Sequence, residues 1–259
     1  MTTVLVIDPV VTDAWEREEE YQHYLDRVKG PETTVRTVSI ARGPGSIETF
    51  FDIAFAVPEI LQVIEDQGGG YDAVMVNCFA DPGVCAIREI AGVPVVGAAE
   101  ASVSLALLLG QRFAVLSPGS SAAAAGRTEM QARAMGVERR LAAAAGIDIP
   151  VLRLNDDPHA TARLLIEAAQ ELVECRGADV IVLGCTGMAI VADEVRAALP
   201  VPLIEPMAAA FKMAETLAEL GLHHARTGLY MRPDKTKYVW KAPPSADDQS
   251  TESSALGSP

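Results

Sequence analysis

Asp72-Ala73-Val74-Met75-Val76-Asn77-Cys78 decides the fold, because the chain states it again as Asp179-Val180-Ile181-Val182-Leu183-Gly184-Cys185. In each copy an acidic residue precedes a short apolar run of strand type, and a cysteine ends the run. Each cysteine leads toward a helical stretch and then a second apolar strand, Val93 to Gly97 in one copy and Val201 to Glu205 in the other. An Ala/Leu-rich helix follows each, ending in glycine at Gly110 and Gly221. Upstream, Val4-Leu5-Val6-Ile7-Asp8-Pro9 is matched by Ala114-Val115-Leu116-Ser117-Pro118, a strand stopped by proline. The chain therefore reads as two homologous halves, 1–110 and 111–221, each bringing one cysteine to the same place. Two long copies are not a solenoid; they imply a pseudo-symmetric protein with a site between its halves.

The remaining elements follow from pattern and punctuation. Asp13 is expected to cap a helix running to Lys29, with Trp15, Tyr24, Leu25 and Val28 on its apolar side. Thr33 to Ile40 alternates as a strand, and Arg42 to Ser46 is a loop. Ile47-Glu48 and Phe50-Phe51 lie close to that loop, where they can form a pocket wall. Pro58 is placed in the first turn of a helix ending at Gln67. In the second half, Ser120 to Gly146 is Ala-rich and reads as mostly helical with a break near Gly136. Val151 to Leu154 reads as a strand, and Asp156-Asp157-Pro158 as the start of a helix. Helices ending at Leu199 and Leu220 complete the series. The Ser/Asp/Pro-rich segment from Pro243 onward has little to bury and is expected to be disordered.

Strands alternating with helices imply parallel sheets flanked by helices. In such α/β sheets ligands bind beyond the carboxyl ends of the strands, where Cys78 and Cys185 both fall. The 259 residues are 49% hydrophobic and carry a formal net charge of −14. That charge disfavours nucleic acid and anionic membrane as partners. No apolar run reaches membrane-spanning length, no basic leader precedes the first strand, and four cysteines without a disulfide framework suit a reducing cytoplasm.

A thiol acts as base or nucleophile only as thiolate, and a helix N-terminus lowers its pKa. Two thiols on opposite walls of a cleft suit inversion of a carbon centre. One removes the α-proton from one face while the other delivers a proton to the opposite face, with no metal or cofactor. A lone free cysteine is usually a small buried apolar residue; its recurrence in both halves favours chemistry. Cys85 and Cys175 have no counterparts and read as structural. No zinc spacing is present, and the glycines after Cys185 form neither a dinucleotide fingerprint nor a P-loop. His223-His224 read as helix-end residues, and His23 and His159 as surface residues.

Cys78-Phe79-Ala80-Asp81-Pro82-Gly83, Pro94 to Ala101 and Val182 to Met188 resemble the hydantoin racemase group of the Asp/Glu racemase superfamily. Pro44-Gly45-Ser46-Ile47-Glu48 before an aromatic pair, and Gly228-Leu229-Tyr230 with Pro233, also resemble that group. The resemblance implies two pseudo-symmetric α/β lobes with the active site in the cleft between them. Lobe 1 would be 1–97 plus 206–240, lobe 2 would be 98–205, and 241–259 would be a disordered tail. It implies a cofactor-independent racemase, commonly a homo-oligomer, acting on a small molecule: a 5-substituted hydantoin or related cyclic ureide such as allantoin.

Carried over by position, Cys78 and Cys185 are the proton-transfer pair. Phe79, Ala80, Ser117, Thr186 and Gly187 would line the substrate site, with nearby backbone N–H groups holding a carbonyl or enolate oxygen. Asp8, Ser46, Ile47 and Glu205 join them as substrate-binding residues. Two departures stand out. The group has Asn-Pro-Asn-Thr or Asn-Pro-Asn-Ser where this chain has Asp8-Pro9-Val10-Val11, and Asp-Gly where it has Glu205-Pro206. Asp8 either favours substrates with N–H donors or positive charge, or caps a turn before Pro9. An amino-acid racemase, a single-cysteine isomerase or lyase of the same superfamily, and a non-catalytic binder are the alternatives.

Overall fold

The computed structural model describes residues 1–11 and 18–234. Asp13 and Trp15 of the expected first helix, and the expected tail at 241–259, lie outside the described residues. Among the described residues eight strands and eight α-helices alternate: β1 Thr2–Asp8, α1 Glu18–Val28, β2 Thr33–Ser39, α2 Phe50–Gln67, β3 Ala73–Val76, α3 Val84–Ile90, β4 Val95–Gly97 and α4 Ala98–Leu109. The second series is β5 Phe113–Ser117, α5 Ser121–Ala134, β6 Leu141–Gly146, α6 Pro158–Arg176, β7 Val180–Leu183, α7 Ala192–Ala198, β8 Leu203–Ile204 and α8 Pro206–Glu219.

The strands form two all-parallel sheets of identical order, β2-β1-β3-β4 and β6-β5-β7-β8. The repeat in the sequence is thus a repeat in topology. Its acidic residues have the same job in both halves. Asp72 Oδ2 accepts from the N–H of Thr3 (2.8 Å), and Asp179 accepts from the N–H groups of Gln111 and Arg112 (2.8 Å each). Each carboxylate therefore ties the amino end of its own strand's segment to that of the neighbouring strand. Register then carries the alignment to the carboxyl ends, Ile7 opposite Val76 and Leu116 opposite Leu183.

Strand alternation divides the core. Leu5 and Ile7 face α2 and α3 with Ile60, Ile64 and Ile87. Val4 and Val6 face the other way, onto Leu25 of α1 and Met207, Ala210 and Phe211 of α8. In the second sheet Leu116 and Leu183 pack with Leu165 of α6 and Val195 of α7, while Val115 and Val182 pack with Ala99 and Val103 of α4. So α4, which follows the first sheet, covers the second, and α8, which follows the second, covers the first. Each fully buried Leu, Ile or Phe side chain contributes about 1.5–3 kcal/mol, so this exchange of helices locks the halves together.

Several local expectations are corrected. The Ala-rich stretch ends its helix at Ala134, and Leu141-Ala-Ala-Ala-Ala-Gly146 is an edge strand paired with β5. Alanine's helix preference is weak against sheet pairing, and Gly146 fits closely: a Cβ there would lie 2.2 Å from the Gly119 carbonyl oxygen. Val151–Arg153 is a turn of 3-10 helix, not a strand. Pro58 lies inside α2, whose start is set earlier by a Thr49/Asp52 capping box. The stretch after Cys185 begins as 3-10 helix, Thr186–Val191, before α7. Cys85 and Cys175 are in helices as expected, but exposed rather than packed in a core. α8 ends before His223-His224; His224 Nε2 instead accepts the N–H of Val95 (2.8 Å). The cap at Asp157 is present. Among the described residues no helix is long and apolar enough to cross a membrane.

Candidate active site

A cleft of about 800 Å³ opens over the carboxyl ends of both sheets. Strand register delivers the two cysteines there, since each follows the central β3 or β7. Both are free thiols, half-buried in the cleft wall. The two sides meet where Thr186 Oγ1 donates to the Asn77 carbonyl (3.3 Å).

The residues flanking the thiols explain their state. Burial pushes the Cys78 thiol up to about 12, and the neighbouring Cys185, Asp81 and Asp8 add to the rise. Burial likewise raises Cys185 to about 12, with Glu48 and Glu205 adding to it. This corrects the expectation that a helix N-terminus would lower both. α3 starts only at Val84, after a turn, and Cys185 precedes 3-10 rather than α-helix. Desolvation therefore outweighs the local dipoles. What opposes it is the nearby backbone: the Ala80 N–H lowers the Cys78 thiol, and the Gly187 and Met188 N–H groups lower Cys185, although no cap hydrogen bond closes on the Cys185 sulfur and the Met188 N–H donates to the Cys185 carbonyl oxygen (3.1 Å).

Asp8, Ile47, Phe79, Ala80, Ser117, Thr186 and Gly187 all border the cleft with both cysteines. Asp8 Oδ1 accepts from Asn77 Nδ2 (2.6 Å), so the aspartate is fixed beside the Cys78 strand end. Ser46 stands behind the wall, its hydroxyl donating to Glu48 Oε1 (2.9 Å). Glu205 is not part of the wall. It is buried at the start of α8, where its carboxylate accepts from the N–H groups of Met207 and Ala208 (2.7 Å each). Burial raises it to about 7. Asp81 does the same for α4, accepting from Ala99 (2.8 Å) and Glu100 (2.9 Å), and is also raised to about 7 by burial.

Glu48, of the expected pocket wall, does line the cleft, and so do Tyr21, Gln131 and Arg127, which sequence reasoning misses. Tyr21 and Gln131 carried no local signal, because only the folding of α1 and α5 over the strand ends brings them in. Among the described residues no group of three or more His, Cys, Asp or Glu is placed to hold a metal ion.

Comparison with known proteins places this geometry. Residues 4–214 match the family described as Asp/Glu/Hydantoin racemase. A hydantoin racemase from Pseudomonas sp. (strain NS671) is 33% identical over 237 residues, covering 91% of this chain and 94% of that protein. The structure of an allantoin racemase from Klebsiella pneumoniae superimposes with a TM-score of 0.84 at 31% identity, covering 91% of this chain and 95% of the other. That of an allantoin racemase from Pseudomonas fluorescens gives 0.86 at 26% identity, covering 92% and 100%.

Proposed function

The chain belongs to the Asp/Glu/hydantoin racemase family, and we propose that it inverts the α-carbon of a 5-substituted hydantoin or related cyclic ureide with Cys78 and Cys185 as its two acid/base groups. The observation that carries this reading is the placement of two free thiols at equivalent strand ends of two equivalent sheets, bordering one cleft.

The chemistry follows from the site. In a hydantoin the C5–H lies next to a carbonyl, so removing the proton leaves an enolate. One cysteine, as thiolate, takes the proton and becomes a thiol. The enolate carbon then takes a proton from the opposite thiol, which becomes the thiolate. Atoms and charge balance, and the enzyme is left ready for the opposite enantiomer. A thiolate held in an apolar wall is a strong base, and the N–H groups of Ala80 beside Cys78 and of Gly187 beside Cys185 favour its charged form. Asp8 and Glu48 border the cleft as acceptors, which fits a ring bearing N–H donors and disfavours a free carboxylate. Ile47, Phe50, Ile53 and Met130 supply an apolar wall for the ring substituent.

The protein is read as a homo-oligomer in a reducing compartment. Phe51 and Phe55 support the first, stacked at 5.4 Å on α2 and 71% and 62% exposed. The four free cysteines support the second.

The test is α-hydrogen exchange in D₂O on each enantiomer of a hydantoin and allantoin panel. Wild type is expected to racemise with deuterium entering at the α-carbon. Cys78→Ser and Cys185→Ser are each expected to lose racemisation by at least about 10³-fold. Racemisation surviving in either variant would end the two-cysteine reading, and no exchange across the panel would end the substrate class.

A further inference from the structure

The two halves place equivalent residues around the thiols but give them opposite polarity. β1 ends in Asp8 and β5 in Ser117, and a proline follows each, so neither strand end offers the next backbone N–H as a donor. On the neighbouring strands the equivalent residues are Asn77 and Gly184, each just before its cysteine. Their N–H groups make the same bond in both halves, to the Ile7 carbonyl (2.9 Å) and to the Leu116 carbonyl (2.6 Å). In the first half the Asn77 side chain reaches across the strand ends and donates Nδ2 to Asp8 Oδ1 (2.6 Å). In the second half position 184 has no side chain, and Ser117 Oγ takes the space: a Cβ on Gly184 would lie 2.1 Å from it. Ser117 borders the cleft and is only 8% exposed. Its hydroxyl has no hydrogen-bond partner among the described residues. The Thr186 and Tyr21 hydroxyls, which also border the cleft, are committed to the carbonyls of Asn77 (3.3 Å) and Gly187 (3.0 Å). A polar group this buried costs free energy unless something bonds it, so the Ser117 hydroxyl is a donor kept for a ligand.

We propose that the Ser117 hydroxyl donates to the substrate carbonyl next to the acidic carbon, the oxygen on which the enolate charge collects. The inference rests on the two-cysteine reading and adds the group that stabilises the intermediate between the two proton transfers. In a hydantoin the acidic C5 has a carbonyl on one side and a ring N–H on the other. The ends of β1, β3, β5 and β7 offer matching groups: a cysteine for each face of C5, a donor hydroxyl for the carbonyl and an acceptor carboxylate for the N–H. Pseudo-symmetry leaves two equivalent places for the oxygen. Asp8 excludes one, because a carboxylate repels the charge that develops there, and Ser117 takes the other. Its bond strengthens as charge moves onto the oxygen, so it lowers the barrier more than it tightens binding. The enolate is the same species from either enantiomer, so one hydroxyl serves both directions.

The experiment uses Ser117→Ala, assayed with α-protiated and α-deuterated enantiomers of a hydantoin that wild type racemises and with its 2-thio and 4-thio analogues. The variant removes an unpartnered hydroxyl and leaves no protein group unpaired, so it should fold as wild type does. On the hydantoin kcat is expected to fall about 10²-fold with KM changed less than about threefold. The primary isotope effect should change alike for both enantiomers. If Ser117 merely packed against Gly184 and steadied Cys185, the isotope effect would change for one enantiomer only. Sulfur is a weaker acceptor than oxygen, so the loss should persist on the 2-thio ring and shrink to less than about fivefold on the 4-thio ring, whose sulfur replaces the oxygen next to C5. Cys78→Ser and Cys185→Ser are run alongside. If either still racemises, the two-cysteine reading fails, and this inference with it. With both serine variants dead, the role of Ser117 alone is overturned by a kcat loss below about threefold, by an isotope effect that moves for one enantiomer only, or by equal losses on the two thio rings. Should wild type leave the 4-thio ring untouched, the kcat loss and the symmetry of the isotope effect on the hydantoin decide.

Discussion

Asp81 and Glu205 show how much one buried carboxyl can do. Each spans two backbone N–H groups at the start of a helix that crosses to the other sheet. Asp81 adopts a left-handed φ of 49° to do so, and its carboxyl comes so close to Gly97 that a Cβ there would lie 2.4 Å from it. Burial raises both groups to about 7 from ordinary values of 3.8 and 4.5. The folded state therefore holds these protons more tightly than the unfolded state. Their contribution to stability is full below the unfolded values and is lost as pH rises through about 7. Denaturant midpoints for wild type should fall between pH 5 and pH 8, with a smaller fall in Asp81→Asn. Asp81→Asn also sets an amide N–H₂ against a backbone N–H, and is expected to cost about 1–3 kcal/mol at pH 5. The thiols set a second pH dependence. With both raised to about 12, the thiolate fraction is small at neutral pH. Initial racemisation rates should climb about tenfold per pH unit above pH 7; a plateau starting at pH 7 would contradict the high thiol values.

At the scale of elements, the approach of β5 to β7 decides where Cys185 stands. A Cβ on Gly184 would lie 2.1 Å from Ser117 Oγ and 3.0 Å from the Leu116 carbonyl oxygen. The Gly184→Ala side chain must push Ser117 aside or push the Cys185 loop out. It is expected to cost about 1–3 kcal/mol of stability and to lower kcat by more than that loss explains, as thermal melts and steady-state kinetics would show. Here the sequence was legible only in part. The pattern of β1, β3, β5 and β7 was plain because each is a run of apolar residues between breakers. β6 was hidden, because Leu141-Ala-Ala-Ala-Ala-Gly146 favours helix locally and becomes a strand only by pairing with β5. Pro58 misled for a related reason. It suits a first turn, but the capping box at Thr49 and Asp52 begins α2 earlier and the proline is carried inside it.

For the whole molecule, the crossing of α4 and α8 makes the two sheets one body with one cleft. The aromatic face of α2 remains outward, with Phe51 and Phe55 exposed, and the proposed homo-oligomer would use it. Phe51→Ser with Phe55→Ser is expected to reduce the mass seen by light scattering after size exclusion while leaving the monomer folded; an unchanged mass would remove α2 from the interface. The sequence by itself determined the doubling of the chain, the parallel α/β class, the family and the two cysteines, because these reside in local apolar runs and in residues repeated at equivalent positions. It also pointed to the part of the cleft's lining that stands next to the cysteines or at neighbouring strand ends. Only the tertiary structure decided that Glu205 caps α8 instead of facing the cleft, that burial raises the thiols where a helix end was expected to lower them, and that Tyr21 and Gln131 reach the opposite half. Each of these depends on what packs around a group from distant parts of the chain, and solvation and hydrogen bonding of that kind have no local pattern to read.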